Sequence, residues 1–63
     1  MGISIRAARV DKGLTQQEMA VALGVTKKTV GSWEKGETKP TLDKIEAICA
    51  LLGRSYDEIR WNV

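Results

Sequence analysis

Apolar residues return along the chain at steps of three and four, and polar or glycine breaks divide them into short segments. The clearest stretch runs from Thr15 to Gly36, TQQEMAVALGVTKKTVGSWEKG. Thr15 and Glu18 form the Thr-x-x-Glu arrangement that satisfies two free backbone amides at a helix start. Met19, Ala20 and Leu23 then fall at i, i+1 and i+4, a narrow apolar stripe. Gly24 sits where the chain needs a positive φ to leave the helix. Thr26 caps a second helix pattern whose apolar residues Val30 and Trp33 are three apart, and Gly36 ends it. The pattern predicts two short helices joined by a tight turn at Leu23-Gly24-Val25.

The flanks read as further helices. The first is expected from Ile3 or Ser4 to about Lys12, with Ile5, Ala8 and the aliphatic stem of Arg9 facing inward and Arg6 facing solvent. Gly13 ends it, and Leu14 tucks into the core before the Thr15 cap. Residues Glu37–Lys39 read as a loop whose exit Pro40 fixes. Thr41 is expected to cap a helix with Leu42, Ile45, Ile48, Cys49 and Leu52 on one stripe; Leu51 falls off that stripe and is expected at the surface. Gly53 closes it. Ser55 and Glu58 repeat the capping spacing, so a short last helix is expected from near Tyr56, anchored by Ile59. The expectation is an all-α fold: one domain spanning 1–63, a compact bundle of five short helices with a helix-turn-helix formed by the second and third.

The polar face of the third helix changes the picture from packing to chemistry. Lys27, Lys28, Gly31 and Ser32 share the side away from Val30 and Trp33 at about 100° per residue. Two cations, a residue without a side chain and a small hydroxyl can approach a polyanion closely. The net charge of +2 is weak as a whole-chain signal, but its distribution is uneven. Residues 1–40 hold seven cations against four anions, +3, and residues 41–63 hold three against four, −1. The positive part is the one that carries the helix-turn-helix pattern.

Other chemistry is scarce. The single cysteine, Cys49, excludes an intramolecular disulfide and suits a reducing compartment. Histidine is absent, so Cys49 has no obvious base partner, and no metal-ligand cluster or phosphate-binding glycine loop appears. An enzyme is not expected, nor is a metal, a cofactor or a small-molecule ligand. No apolar run approaches the length that spans a membrane, and no signal-peptide or lipidation motif is visible. A soluble, cytoplasmic protein is expected, associated with the nucleoid in a prokaryotic or phage setting.

Taken together, these segments resemble the phage-repressor/Cro-type helix-turn-helix DNA-binding family. The resemblance rests on the lead-in IRAARVDKGLTQ (Ile5–Gln16), the central Thr15–Gly36 unit with its closing WEKG (Trp33–Gly36), the Pro40-initiated helix ending in Leu52-Gly53, and the Ser55-x-Asp57-Glu58-Ile59 element. It spans about residues 4–60. In such proteins the N-terminal part of the recognition helix reads base edges in the major groove while flanking groups hold phosphates. The positions imply base contacts from Lys27, Lys28 and Ser32, with Gly31 allowing close backbone approach. Phosphate contacts are implied for Gln16, Gln17, Thr26, Thr29, Lys35 and Lys39, Gln16 standing at the family's backbone clamp. The resemblance also pairs Arg9 with Glu34. Lysine at both leading positions departs from glutamine-rich versions of the family and places flexible point charges where a bidentate amide would stand.

The function implied is that of a sequence-specific regulator of transcription, a repressor occupying a palindromic operator as a homodimer. Tyr56 and Trp61 read either as edge-of-core packing or as dimer contacts; the resemblance implies the second, because this end of the domain commonly forms the two-fold interface in the family. The competing reading is an antitoxin-type or protein-interaction module that uses the same fold to bind a partner protein. Lys27 and Lys28 weigh against it, since a fold that had lost DNA binding would be expected to carry acidic or apolar residues there.

Overall fold

The computed structural model describes residues 2–61. It orders them as a short strand β1 (Ile3–Ser4) and helices α1 (Ile5–Asp11), α2 (Gln16–Leu23), α3 (Lys27–Lys35) and α4 (Leu42–Leu52). A 3₁₀ turn (Tyr56–Glu58) and a second strand, β2 (Ile59–Arg60), follow. The described residues therefore hold four α-helices and a small strand pair, not five helices.

Each departure has a physical cause, local at the first end and long-range at the second. Ser4 is extended, and its hydroxyl accepts the Ala7 N–H at 3.0 Å, so it caps α1 from outside and the helix starts at Ile5. At the other end Ile59 is also extended, φ −109° and ψ 135°. Three residues after Ser55 are too few to continue as an α-helix once Ile59 leaves helical geometry. Ile59 instead enters the core, and its strand pairs in parallel with β1, Ile3 opposite Ile59 and Ser4 opposite Arg60. Gly2 permits that pairing. A Cβ there would lie 2.9 Å from backbone atoms of Glu58, Ile59 and Arg60.

The core sits where the four helices meet. Ile5 and Ala8 come from α1, Met19, Ala20 and Leu23 from α2, Val30 and Trp33 from α3, and Ile48 and Leu52 from α4, with Ile59 closing the cluster. The α4 stripe differs from expectation at both ends. Leu42 is 71% exposed, while Leu51 is half-buried against the core. Taking the buried Ile48 as the inward direction, about 100° per residue puts Leu42 roughly 120° away and Leu51 only about 60° away. Thr41 has the extended conformation of a capping residue but makes no side-chain cap bond. Cys49 packs at the core edge, where burial pushes its thiol pKa up and keeps it protonated. Among the described residues no helix is long and apolar enough to cross a membrane.

Candidate nucleic-acid interface

The unit formed by α2 and α3 is fixed at each of its ends. The Thr15 hydroxyl accepts the Glu18 N–H at 3.0 Å, and the Glu18 carboxylate accepts the Thr15 N–H at 2.9 Å. At the far end of α2, Gly24 turns the chain with φ 70° and ψ 31°, a left-handed conformation that a Cβ would strain. The Lys44 ammonium, arriving from α4, donates to the Leu23 carbonyl at 2.8 Å and satisfies an acceptor at the negative end of the α2 dipole. Thr26 starts α3 by accepting the Thr29 N–H at 3.2 Å, and the two hydroxyls lie 2.9 Å apart.

With Val30 and Trp33 buried, the opposite side of α3 is open. Lys27, Lys28, Gly31, Ser32 and Lys35 line one shallow depression together with Gln16 of α2 and Glu37 of the following loop. A second depression adjoins it around the start of α2, where Thr15, Gln16 and Gln17 meet Lys27. Gln16 and Lys27 border both. Lys27, Lys28, Lys35 and Lys39 are exposed, whereas Gly31, Ser32 and Thr29 are half-exposed. Lys39 lies in the loop before α4 and does not line the depression.

Beneath this surface lies a compact polar node. Arg9 Nε donates to Glu34 Oε2 at 2.6 Å and Nη2 to Oε1 at 3.2 Å, while Nη1 donates to the Leu14 carbonyl at 2.7 Å. The two side chains are 9% and 5% exposed. Gln16 Nε2 joins the same carboxylate, donating to Oε1 at 3.0 Å. One carboxylate thus ties α1 and α2 to α3, and Arg9 adds the α1–α2 turn through the Leu14 carbonyl. No buried side-chain nitrogen or oxygen among the described residues lacks a partner, which is the condition under which a buried ion pair is tolerated.

Tyr56 and Trp61 stand apart from α3, on the C-terminal segment. Their rings stack at 5.6 Å between centroids with planes 21° apart, and the Trp61 indole N–H donates to the Tyr56 carbonyl at 2.8 Å. Tyr56 is 59% exposed. Two features of the groove had no local signal in the sequence. Glu37 brings an acidic group to the cationic depression, and Glu34 holds the Gln16 amide across 18 positions of chain. The Glu37 N–H donates to the Ser32 carbonyl at 2.9 Å, which holds it against α3, whereas the Gln16–Glu34 contact arises from how α2 crosses α3, which spacing within one helix does not encode.

The described residues contain no cluster of three or more His, Cys, Asp or Glu side chains that could hold a metal ion. The surface offers instead ammonium groups, a hydroxyl and an amide around a bare stretch of helix, the donor set that suits phosphates and base edges.

Comparison with known proteins agrees with this geometry. The family model described as "Helix-turn-helix" matches residues 5–59. An uncharacterized HTH-type transcriptional regulator of Methanothermobacter thermautotrophicus is 43% identical over 54 residues, covering 86% of this chain and 78% of its own. The cryptic phage CTXphi transcriptional repressor RstR of Vibrio cholerae is 39% identical over 55 residues, covering 87% of this chain and 50% of that protein. This chain therefore spans only half the length of that phage repressor. Among solved structures, the clp gene regulator ClgR from C. glutamicum superposes with a TM-score of 0.76 at 30% identity, covering 86% of this chain and 70% of that one.

Proposed function

This chain belongs to the phage-repressor/Cro-type helix-turn-helix family of transcriptional regulators, and we propose that it represses transcription by occupying a palindromic operator as a homodimer. The observation that carries the reading is the depression along α3, lined by three lysines, Gly31 and Ser32. In this reading α3 lies in the major groove. Lys27 and Lys28, in its first turn, donate to guanine O6 and N7, Ser32 contacts a base one turn on, and Gly31 lets the helix approach without an intervening side chain. Gln16, Gln17, Thr26, Thr29, Lys35 and Lys39 take phosphates. The backbone N–H groups of Gln16 and Gln17, first in α2, stand at a helix end that favours anions.

Specificity in this reading needs a second copy. One chain presents a single short recognition helix, whereas two related by a two-fold axis place their helices about 34 Å apart on one face of the duplex. The described body measures 28 × 23 × 19 Å, a size compatible with that spacing for two copies in contact. The stacked Tyr56 and Trp61 are the proposed contact, because exposed aromatics are enriched in interface cores. In this reading residues 1–63 act as one DNA-binding domain, working where the DNA is, in the cytoplasm.

In vitro selection from random duplex DNA tests the reading, run with the wild type and with a Lys27/Lys28 double alanine variant. An enriched palindrome with half-sites one helical turn apart, lost in the variant, is the expected result. Equal enrichment by the variant would remove the lysines from base reading. Absence of any DNA binding would favour the protein-interaction reading instead.

A further inference from the structure

Gln16 belongs to α2, yet its side chain lies over α3. Its Nε2 is 3.0 Å from Glu34 Oε1 and 3.9 Å from the place where a Cβ on Gly31 would sit. An ionised carboxylate has no hydrogen to give, so this contact fixes the amide's orientation: the nitrogen faces Glu34 and donates. What remains for a partner is the second N–H of Nε2 and the lone pairs of Oε1. Glu34 cannot readily move away to release the amide, because Arg9 holds both of its oxygens and the carboxylate side chain is only 5% exposed.

We propose that Glu34 is a positioning residue for DNA recognition that acts through the Gln16 amide. Glu34 takes one N–H inward and leaves the other set at the border of the two depressions, aimed for one phosphate oxygen. A glutamine free in solvent loses rotamer freedom when a ligand captures it, and that loss weakens binding. Held by Glu34, Gln16 has already given up that freedom in the folded protein. The inference rests on the DNA-binding reading above and goes beyond it: a buried residue that touches no DNA sets the strength of a contact made by another.

A double-mutant cycle tests it, with the affinity of wild type, Glu34→Gln, Gln16→Ala and the double variant measured for a labelled duplex. The duplex carries the site enriched by selection, or random sequence at low salt if none is enriched, and circular dichroism checks that each variant is folded. Glu34→Gln should weaken binding about 3- to 10-fold in the wild-type background, the range of one well-placed hydrogen bond. It should change affinity less than about twofold once Gln16 is alanine, by the same reasoning. Equal losses in both backgrounds would overturn the proposal, because a purely structural role of Glu34 does not depend on Gln16. A second measurement needs no variant: in the free wild type, NMR should show one of the two Gln16 side-chain amide protons shifted and slow to exchange. Two solvent-like protons would overturn the proposal directly. That signature together with no binding to any duplex would instead overturn the DNA-binding reading, and the DNA role of Glu34 with it.

Discussion

Replacing Gly31 by alanine separates what the recognition helix needs for folding from what it needs for DNA. Gly31 is the fifth of nine residues in α3 and has no positive φ, so alanine fits its backbone. The added Cβ would meet only Gln16 Nε2, at 3.9 Å, an ordinary contact. Helix propensity then decides the stability, and alanine in a helix interior is favoured over glycine by about 1 kcal/mol. For a domain of this size that gain should raise Tm by roughly 4–8 °C. The same methyl projects into the depression between Lys28 and Ser32, where DNA is proposed to approach. A methyl that holds α3 off the bases should cost as much as one lost bidentate base contact by a neighbouring lysine, about 1–3 kcal/mol of specific binding. Thermal denaturation and titration of the selected duplex, done on the same protein, read both quantities. A fall in Tm would refute the open geometry around residue 31. A rise in Tm with unchanged affinity would refute close approach of the helix to DNA at this point.

Other substitutions probe the frame. Glu34→Ala leaves the buried Arg9 guanidinium without its carboxylate and should cost roughly 3–5 kcal/mol in urea denaturation. Asp11→Ala breaks the Arg54 bridge, whose side chains are 30% and 69% exposed, and should cost under about 1 kcal/mol; similar losses would refute the ranking by burial. Gly2→Ala forces a Cβ against backbone at 2.9 Å and should destabilise by roughly 1–3 kcal/mol, the usual range for forced shifts of packed backbone. Faster amide exchange in Ile59 and Arg60 should accompany it, and unchanged protection there would show that the strand pair does not depend on Gly2. Glu58 accepts the Ser55 N–H at 2.8 Å, and that backbone bond, then the Ser55 hydroxyl, pulls its pKa below the ordinary 4.5. Its stabilising contribution is therefore present above that pH and lost as pH falls through the lowered folded value. The Tm difference between wild type and Glu58→Gln should shrink on acidification below about pH 4.5, and a difference constant into acid would refute the assignment.

Most of the helix-turn-helix was legible along the chain because its determinants are local. Thr15 with Glu18, Gly24, and Thr26 act within one turn of the backbone they cap, and Met19, Ala20, Leu23, Val30 and Trp33 need only helical periodicity to define an inner face. The exposed cationic side of α3 follows from the same periodicity. The sequence by itself therefore determined the central unit and the face it turns outward.

Tertiary structure decided what depends on distant partners. Ser55–Glu58 carries the spacing of a helix start, yet the segment leaves helical geometry because Ile59 enters the core and its backbone finds a strand partner at Ile3. That partner is 56 residues away and is accessible only because Gly2 has no Cβ. Leu42 is exposed and Leu51 half-buried, against expectation, because the inward direction of α4 is centred on Ile48 and Leu52, where they meet the cluster supplied by the other elements. Gln16, Glu34 and Arg9 meet on one carboxylate only after three helices have crossed. Caps and stripes are written in short-range geometry, whereas a shared hydrogen-bond acceptor or a strand partner exists only once the chain has closed on itself.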